Sequence, residues 1–240
     1  MNPFVQFVKD LSGRIGNGFS SLNQNNPSNV AYVRDLERQM KDQNVLDIPF
    51  DALQVVIFDL ETTGFYPYKG DEIISIGAVK VAGTEIKEAE TFYSLVKNET
   101  PLSEEIVNLT GITEEMLADA PSLRDALKDF FAFIKADVLV AHHASHEKQF
   151  MNHATWLALK QKFQHRIVDT SFLTTINYPD DRLISLDECC EQYGIQIDQR
   201  HHALHDAVAT AKLWVESIRE IQEKNYHNLK DVYTHLATLK

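Results

Sequence analysis

The segment from Gln54 to Leu60, QVVIFDL, constrains this chain more than any other. It is a short apolar run rich in β-branched residues, the pattern of a central strand covered on both faces. Yet it carries Asp59, and Glu61 follows two residues later. Side chains two apart on a strand share a face, so both carboxylates point the same way. Isolated buried carboxylates are costly and are found paired, protonated or bound to metal. Thr62, Thr63 and Gly64 come next, adding hydroxyls and a turn whose backbone can approach a ligand closely. Taken alone, a bare D-x-E also fits a solvated strand end, because carboxylates are ordinarily exposed.

The pattern after this strand predicts an α/β domain. Glu72–Val81 and Thr91–Val96 read as two further strands, with a turn at Gly83-Thr84, so the first three strands form an antiparallel meander. Ser103–Leu109 and Thr113–Leu117 read as short helices. Ser122 caps a longer helix whose apolar stripe is Leu123, Ala126, Leu127, Phe130, Phe131 and Ile134. ADVLVAH supplies a fourth strand, a helix starts at Ser145, and RIVD supplies a fifth strand. Ser185-Leu-Asp-Glu188 is a capping box, Gly194 closes its helix, and a last long helix runs from Ala203 to Asn225. Strands that alternate with helices after a meander give a mixed sheet flanked by helices. Before it, residues 16–29 (GNGFSSLNQNNPSN) read as a linker, and Asn29 caps a helix through Tyr32, Leu36 and Met40. The expected division is an N-terminal extension over 1–50, the main domain over 51–225 and a helical tail over 226–240.

Composition narrows the function classes. A net charge of −12 argues against tight binding to long duplexes, whose phosphates favour basic surfaces. It leaves open chemistry on a few terminal nucleotides, where bound cations make an acidic site tolerate phosphate. No apolar run is long enough to span a bilayer, and the first residues lack the features of a signal peptide. The two cysteines, Cys189 and Cys190, are adjacent and are expected to be reduced thiols, which points to the cytoplasm.

FDLETTG, then LVAHHASHE, then RHHALHDA, in this order and spacing, resemble the DnaQ-like DEDDh 3′→5′ exonucleases. That family includes proofreading subunits, the exonuclease insert of PolC-type polymerases, RNase T and oligoribonuclease. LTGIT, VDTSFL and ISLDECCEQYGI support the match, which covers residues 54–220 or so. The resemblance implies an RNase H-like fold with a five-stranded mixed sheet. It also implies that Asp59, Glu61 and Asp206 are metal ligands and that His201, five residues before Asp206, is the general base. Two divalent ions about 3.5–4 Å apart can clamp a scissile phosphate, and hard oxygen ligands suit Mg²⁺ or Mn²⁺. A neutral imidazole near pH 7 can take a proton from the attacking water.

One position departs from the family pattern. Where H-N-x-x-F-D is usual, this chain has His142-His143-Ala144-Ser145-His146-Glu147, so the third acid is Glu147, one methylene longer than Asp. A rival reading makes His142, His143, His146 and Glu147, with His201, His202 and His205, a zinc or other transition-metal site. The strand acids already explain a metal, however, and no thiolate set accompanies these histidines. For substrate, the resemblance points to Glu105, with Thr110 standing where proofreading members carry a histidine, and to Thr63 and Phe65 at the terminal sugar and base. Asp169 matches a position that is structural in the family.

The resulting expectation is a metal-dependent exonuclease on single-stranded 3′ ends, with DNA preferred. The alternatives are the same chemistry on RNA, or a weakened module that binds 3′ ends or a polymerase. Without a polymerase region, proofreading needs a separate partner. The N-terminal extension or the tail residues Tyr226, Leu229, Val232, Tyr233 and Leu236 are the candidate contacts, although apolar residues at helical spacing are more often core.

Overall fold

The computed structural model describes residues 45–179 and 185–238; the helix expected over Tyr32, Leu36 and Met40 lies outside them. The strand at QVVIFDL, β1 (Gln54–Thr62), is the centre of a five-stranded sheet. It pairs antiparallel with β2 (Ile73–Ala82), which pairs antiparallel with β3 (Glu85–Leu95). On its other side β1 runs parallel to β4 (Val138–Ala141), and β4 runs parallel to β5 (Ile167–Asp169). The sheet is thus the expected meander followed by parallel strands.

Around it lie α1 (Glu104–Thr110), α2 (Glu114–Ala118), α3 (Leu123–Ile134), α4 (Ser145–Leu159), α5 (Ser171–Asn177), α6 (Leu186–Gln192), α7 (Ala203–Glu223) and α8 (Leu229–Thr238). The caps are those the sequence announces. The hydroxyls of Ser103, Thr113, Ser122 and Ser185 accept backbone N–H groups three residues on, and Ser185 with Glu188 closes a full capping box. Strand β3 is longer than the pattern suggested. Its first half, with Glu85, Lys87, Glu88 and Glu90, lies at the sheet edge, where charges discourage pairing with another chain and leave no apolar alternation to read.

Strand alternation splits the core in two. Val56, Phe58 and Leu60 face Leu127, Phe130 and Ile134 of α3 and Phe150 and Met151 of α4. Val55 and Ile57 face Trp214, Ile218 and Ile221 of α7. Asp59 and Glu61 continue the second of these faces, so the acids look toward the start of α7. Leu229 and Val232 of α8 are fully buried in the same core, and Phe50 joins it from the other direction, its N–H donating to the His227 carbonyl at 2.9 Å. Leu229 and Val232 of the tail therefore belong to the core, while Tyr233 stays exposed. No described helix is long and apolar enough to cross a membrane, and Cys189 and Cys190 are free and buried.

Gly77 sets how closely α7 approaches. It pairs with Asp59 across β1 and β2, and a Cβ there would sit inside the backbone of Ala203 and Leu204. Only a glycine lets the first turn of α7 lie flat on the sheet beside the strand acids. Replacing Gly77 with Ala is expected to cost about 1–3 kcal/mol in urea unfolding by forcing that turn outward; an unchanged unfolding midpoint would show that the turn moves freely.

Candidate active site

Three segments meet at the C-terminal end of β1. The strand brings partly buried Asp59 and buried Glu61, with a register shift between Glu61 and Thr62 where the strand leaves the ladder. Past the end of β4, α4 carries Glu147 in its first turn, 4% exposed. Asp169 at the end of β5 braces that turn: one oxygen accepts the Ala144 N–H at 3.0 Å, the other the Ser171 N–H at 2.9 Å. This agrees with a structural role for Asp169.

Asp206 lies in the first turn of α7, 3% exposed. One of its oxygens accepts the His201 N–H at 3.0 Å and an ion pair from the Arg200 guanidinium. Arg200 also donates from Nε to Asp187 at 2.7 Å. His201 itself adopts a left-handed backbone (φ 58°), which folds the loop back so that its ring and Asp206 converge.

Crowding and burial act together on these acids. Burial first, then the charges of Glu61, Glu147 and Asp206, hold the Asp59 carboxyl well above the usual carboxylate range. Burial and the Asp206 charge push Glu61 up to about 8. Burial pushes Glu147 up to about 8 as well, with Asp169 and Glu61 adding repulsion. Asp206 is raised by burial, against the pull of Arg200. His201 moves the other way: burial and the neighbouring guanidinium lower its affinity for a proton, so the ring is neutral at pH 7.

The site fits a divalent cation. Single ligand atoms of Glu61, His201 and Asp206 lie within 4.8 Å of one another. One oxygen of Glu147 and one of Asp206 are buried without a hydrogen-bond partner, lone pairs that a cation would satisfy. Asp59 and Glu147 join this group through their fields rather than inside the 4.8 Å set. Among the described residues no set drawn from the histidines of the zinc reading gathers in this way.

The residues expected to touch substrate divide sharply. Phe65 is 77% exposed at the mouth of the site, its ring edge-on to His146 at 6.0 Å. Thr62 Oγ1 donates to the Gly64 carbonyl at 2.7 Å and lies 3.5 Å from His146 Nε2. Thr63 Oγ1 accepts the Glu72 N–H at 2.9 Å, tying the β1–β2 connection together. The bare face of Gly64 meets the Asp71 carboxylate, 2.5 Å from where a Cβ would sit, so this glycine makes room for a side chain. Glu105 is exposed on α1. Thr110 is 4% exposed, and its hydroxyl is committed to the end of α1, donating to Ile106 and accepting from Ile112. Its hydroxyl thus serves the end of α1.

Two neighbours escaped the sequence reading. Arg200 was legible only as a cation beside a histidine pair, and its partner Asp187 is 13 residues away. Tyr93 on edge strand β3 stacks on His202 at 4.6 Å, and burial and Glu61 raise its phenol. It is brought there by sheet pairing that no local pattern reports.

The fold and site together define an RNase H-like α/β domain with an acidic, cation-seeking cleft. Within that class the chain belongs to the DnaQ-like exonucleases: the Exonuclease family model RNase_T matches residues 56–214. The PolC-type DNA polymerase III of Bacillus subtilis is 39% identical over 176 residues, 72% of this chain but 12% of that protein. A DNA polymerase III subunit epsilon-like protein of Rhodobacter capsulatus is 32% identical over 207 residues, 85% of this chain and 29% of its own length. The chain thus spans a small part of the relatives it matches. Among solved structures, the 3′-exonuclease described for 3′-end-specific recognition of a histone mRNA stem-loop has a TM-score of 0.63 at 24% identity, over 72% of this chain and 84% of that one. Exonuclease X in complex with 5′-overhanging duplex DNA has 0.57 at 21%, over 75% and 98%. At these identities the likeness is one of fold.

The raised carboxyls predict a pH signature. The folded chain keeps protons on Glu61 and Glu147 up to about pH 8, whereas the unfolded chain releases them near the ordinary 4.5. Stability without metal therefore falls as pH rises toward 8. The depressed histidines act oppositely, but their contribution is complete above their unfolded value of 6.5. In chelator, Tm is expected to drop between about pH 7 and about pH 8.5, and Mn²⁺ to raise it more at the upper end, because the ion displaces fewer protons there. A chelated Tm that climbs over this window would contradict the electrostatic account.

Proposed function

We propose that the chain is a 3′→5′ exonuclease that releases nucleoside monophosphates from single-stranded 3′ ends, with DNA the preferred substrate and Mg²⁺ or Mn²⁺ the cofactor. The observation that carries this reading is the convergence of acids from β1, α4 and α7 at one sheet end, with a proton-poor imidazole beside them. Asp59, Glu61, Glu147 and Asp206 would hold the ions, and the ions would supply Lewis-acid catalysis for phosphodiester hydrolysis. His201, neutral at pH 7, accepts the proton of the attacking water as its oxygen bonds to phosphorus. The P–O3′ bond breaks, the 3′ oxygen stays with the shortened strand and takes a proton from solvent, and the terminal nucleotide leaves as a 5′-monophosphate. Phe65, exposed at the mouth, is suited to pack on the terminal base, with Thr62, Thr63 and Gly64 shaping the turn beneath it. Glu105 is proposed to contact the terminal nucleotide.

The preference for DNA and a replicative polymerase as partner rest on relatives that are DNA polymerase III proteins. The test is hydrolysis of matched 3′-labelled DNA and RNA strands with Mg²⁺, Mn²⁺ or chelator. Labelled mononucleotide is expected from DNA faster than from RNA, and none in chelator. Asp59→Ala should abolish release. Glu147→Ala should reduce it about 10²-fold, whereas Glu147→Asp should retain or raise it. Release in chelator, or full activity in Asp59→Ala, would refute the assignment. Tight binding of 3′ ends without release would mark a non-hydrolytic module.

A further inference from the structure

The chain carries 35 acidic residues in 240, so about three are expected in any 21, yet residues 148–168 contain none. That stretch holds Lys148, Lys160, Lys162 and Arg166. Most of it is α4, whose first turn holds Glu147 at the site and whose far end lies 12 residues on. One stripe of α4 carries His146, His153, Trp156 and, just past the helix, Lys160, spaced seven, three and four apart. The loop after β1 lies along this stripe. Phe65 meets His146 at 6.0 Å, and Tyr68 meets His153 edge-on at 5.0 Å. Tyr68 is 67% exposed and Trp156 56% exposed. The two acids of this loop are engaged elsewhere: Asp71 accepts the Tyr66 N–H at 2.7 Å and Glu72 accepts the Asn98 amide at 2.9 Å. Exposed rings therefore continue from the site mouth along α4, a helix with no acid after Glu147 and with cations at and past its end, in a protein of net charge −12.

We propose that this face, from Phe65 and Tyr68 through Trp156 to Lys160 and Lys162, is the path of the single strand upstream of the nucleotide being removed. Bases stack on the exposed rings, and the lysines meet the phosphates. From His146 to Lys160 the path is about 21 Å long, room for several nucleotides. Stacking on π-faces and contacts to the backbone tolerate any sequence, which suits an enzyme that must shorten whatever end it meets. The proposal rests on the exonuclease reading and names how its substrate is held.

A pair of substrates separates the two. The p-nitrophenyl ester of thymidine 5′-monophosphate engages only the site, whereas a strand of about twenty nucleotides also engages the path. Trp156→Ala is expected to raise KM for the long strand roughly tenfold and to leave hydrolysis of the ester unchanged. Replacing Lys160 and Lys162 together by Gln should lower the slope of log affinity against log salt by about 1.4 for the long strand. Unchanged KM and salt slope in these variants would overturn the proposal, as would equal losses on both substrates, which would mean the residues act through the fold. If the unaltered protein cleaves neither substrate, the exonuclease reading fails. Fluorescence anisotropy with a labelled long strand and a labelled dinucleotide then decides the path by itself: a preference for the long strand that Trp156→Ala removes supports it, and equal binding overturns it.

Discussion

Four carboxylates forced together in a half-dry cleft are the constraint around which this domain is organised. In water such a group would stay ionised and apart. Here burial and mutual repulsion push Glu61 and Glu147 up to about 8 and raise Asp59 and Asp206. An acid cluster of this kind stores unfavourable charge that only protons or cations relieve. The hydrophobic layers supply the force that holds it in place. Val55 and Ile57 commit β1 to α7 on the same face that carries the acids, so the packing that stabilises the sheet also fixes the carboxylates.

Smaller devices complete the cleft. Gly77 removes the one side chain that would hold α7 off the sheet. Asp169 ties down the amide ahead of α4 and with it the first turn that presents Glu147. Arg200, shared between Asp187 and Asp206, places one permanent positive charge at the rim. That charge tempers the cluster and adds to burial in lowering the proton affinity of His201. The single guanidinium thus favours ionised carboxylates and a neutral imidazole together.

Much of this was legible in the sequence because the signals were local. Acids two apart on an apolar strand must share a face, and His201 and Asp206 lie close enough in sequence for one loop and helix start to bring them together. Caps at Ser103, Thr113, Ser122 and Ser185 gave helix starts through hydrogen bonds that span only three residues. What stayed hidden depended on partners distant in the chain. The sequence cannot announce that Gly77 faces Ala203, that Tyr93 stacks on His202, or that the Gly64 turn makes room for Asp71. The Thr110 hydroxyl serves its own helix end, a local use that a motif comparison does not report. The tail residues Leu229 and Val232 could have served core or interface by their spacing alone, and their burial in one apolar cluster with Phe50 and Leu173 decided for the core.

We propose that the acid cluster is a cation site whose ligands come from β1, α4 and α7 together. Manganese binding followed by electron paramagnetic resonance, with the purified chain titrated at about pH 8, tests it most directly. Two bound ions per chain are expected, reduced by Asp59→Asn and by Asp206→Asn alike. No bound manganese, or binding indifferent to both substitutions, would contradict it.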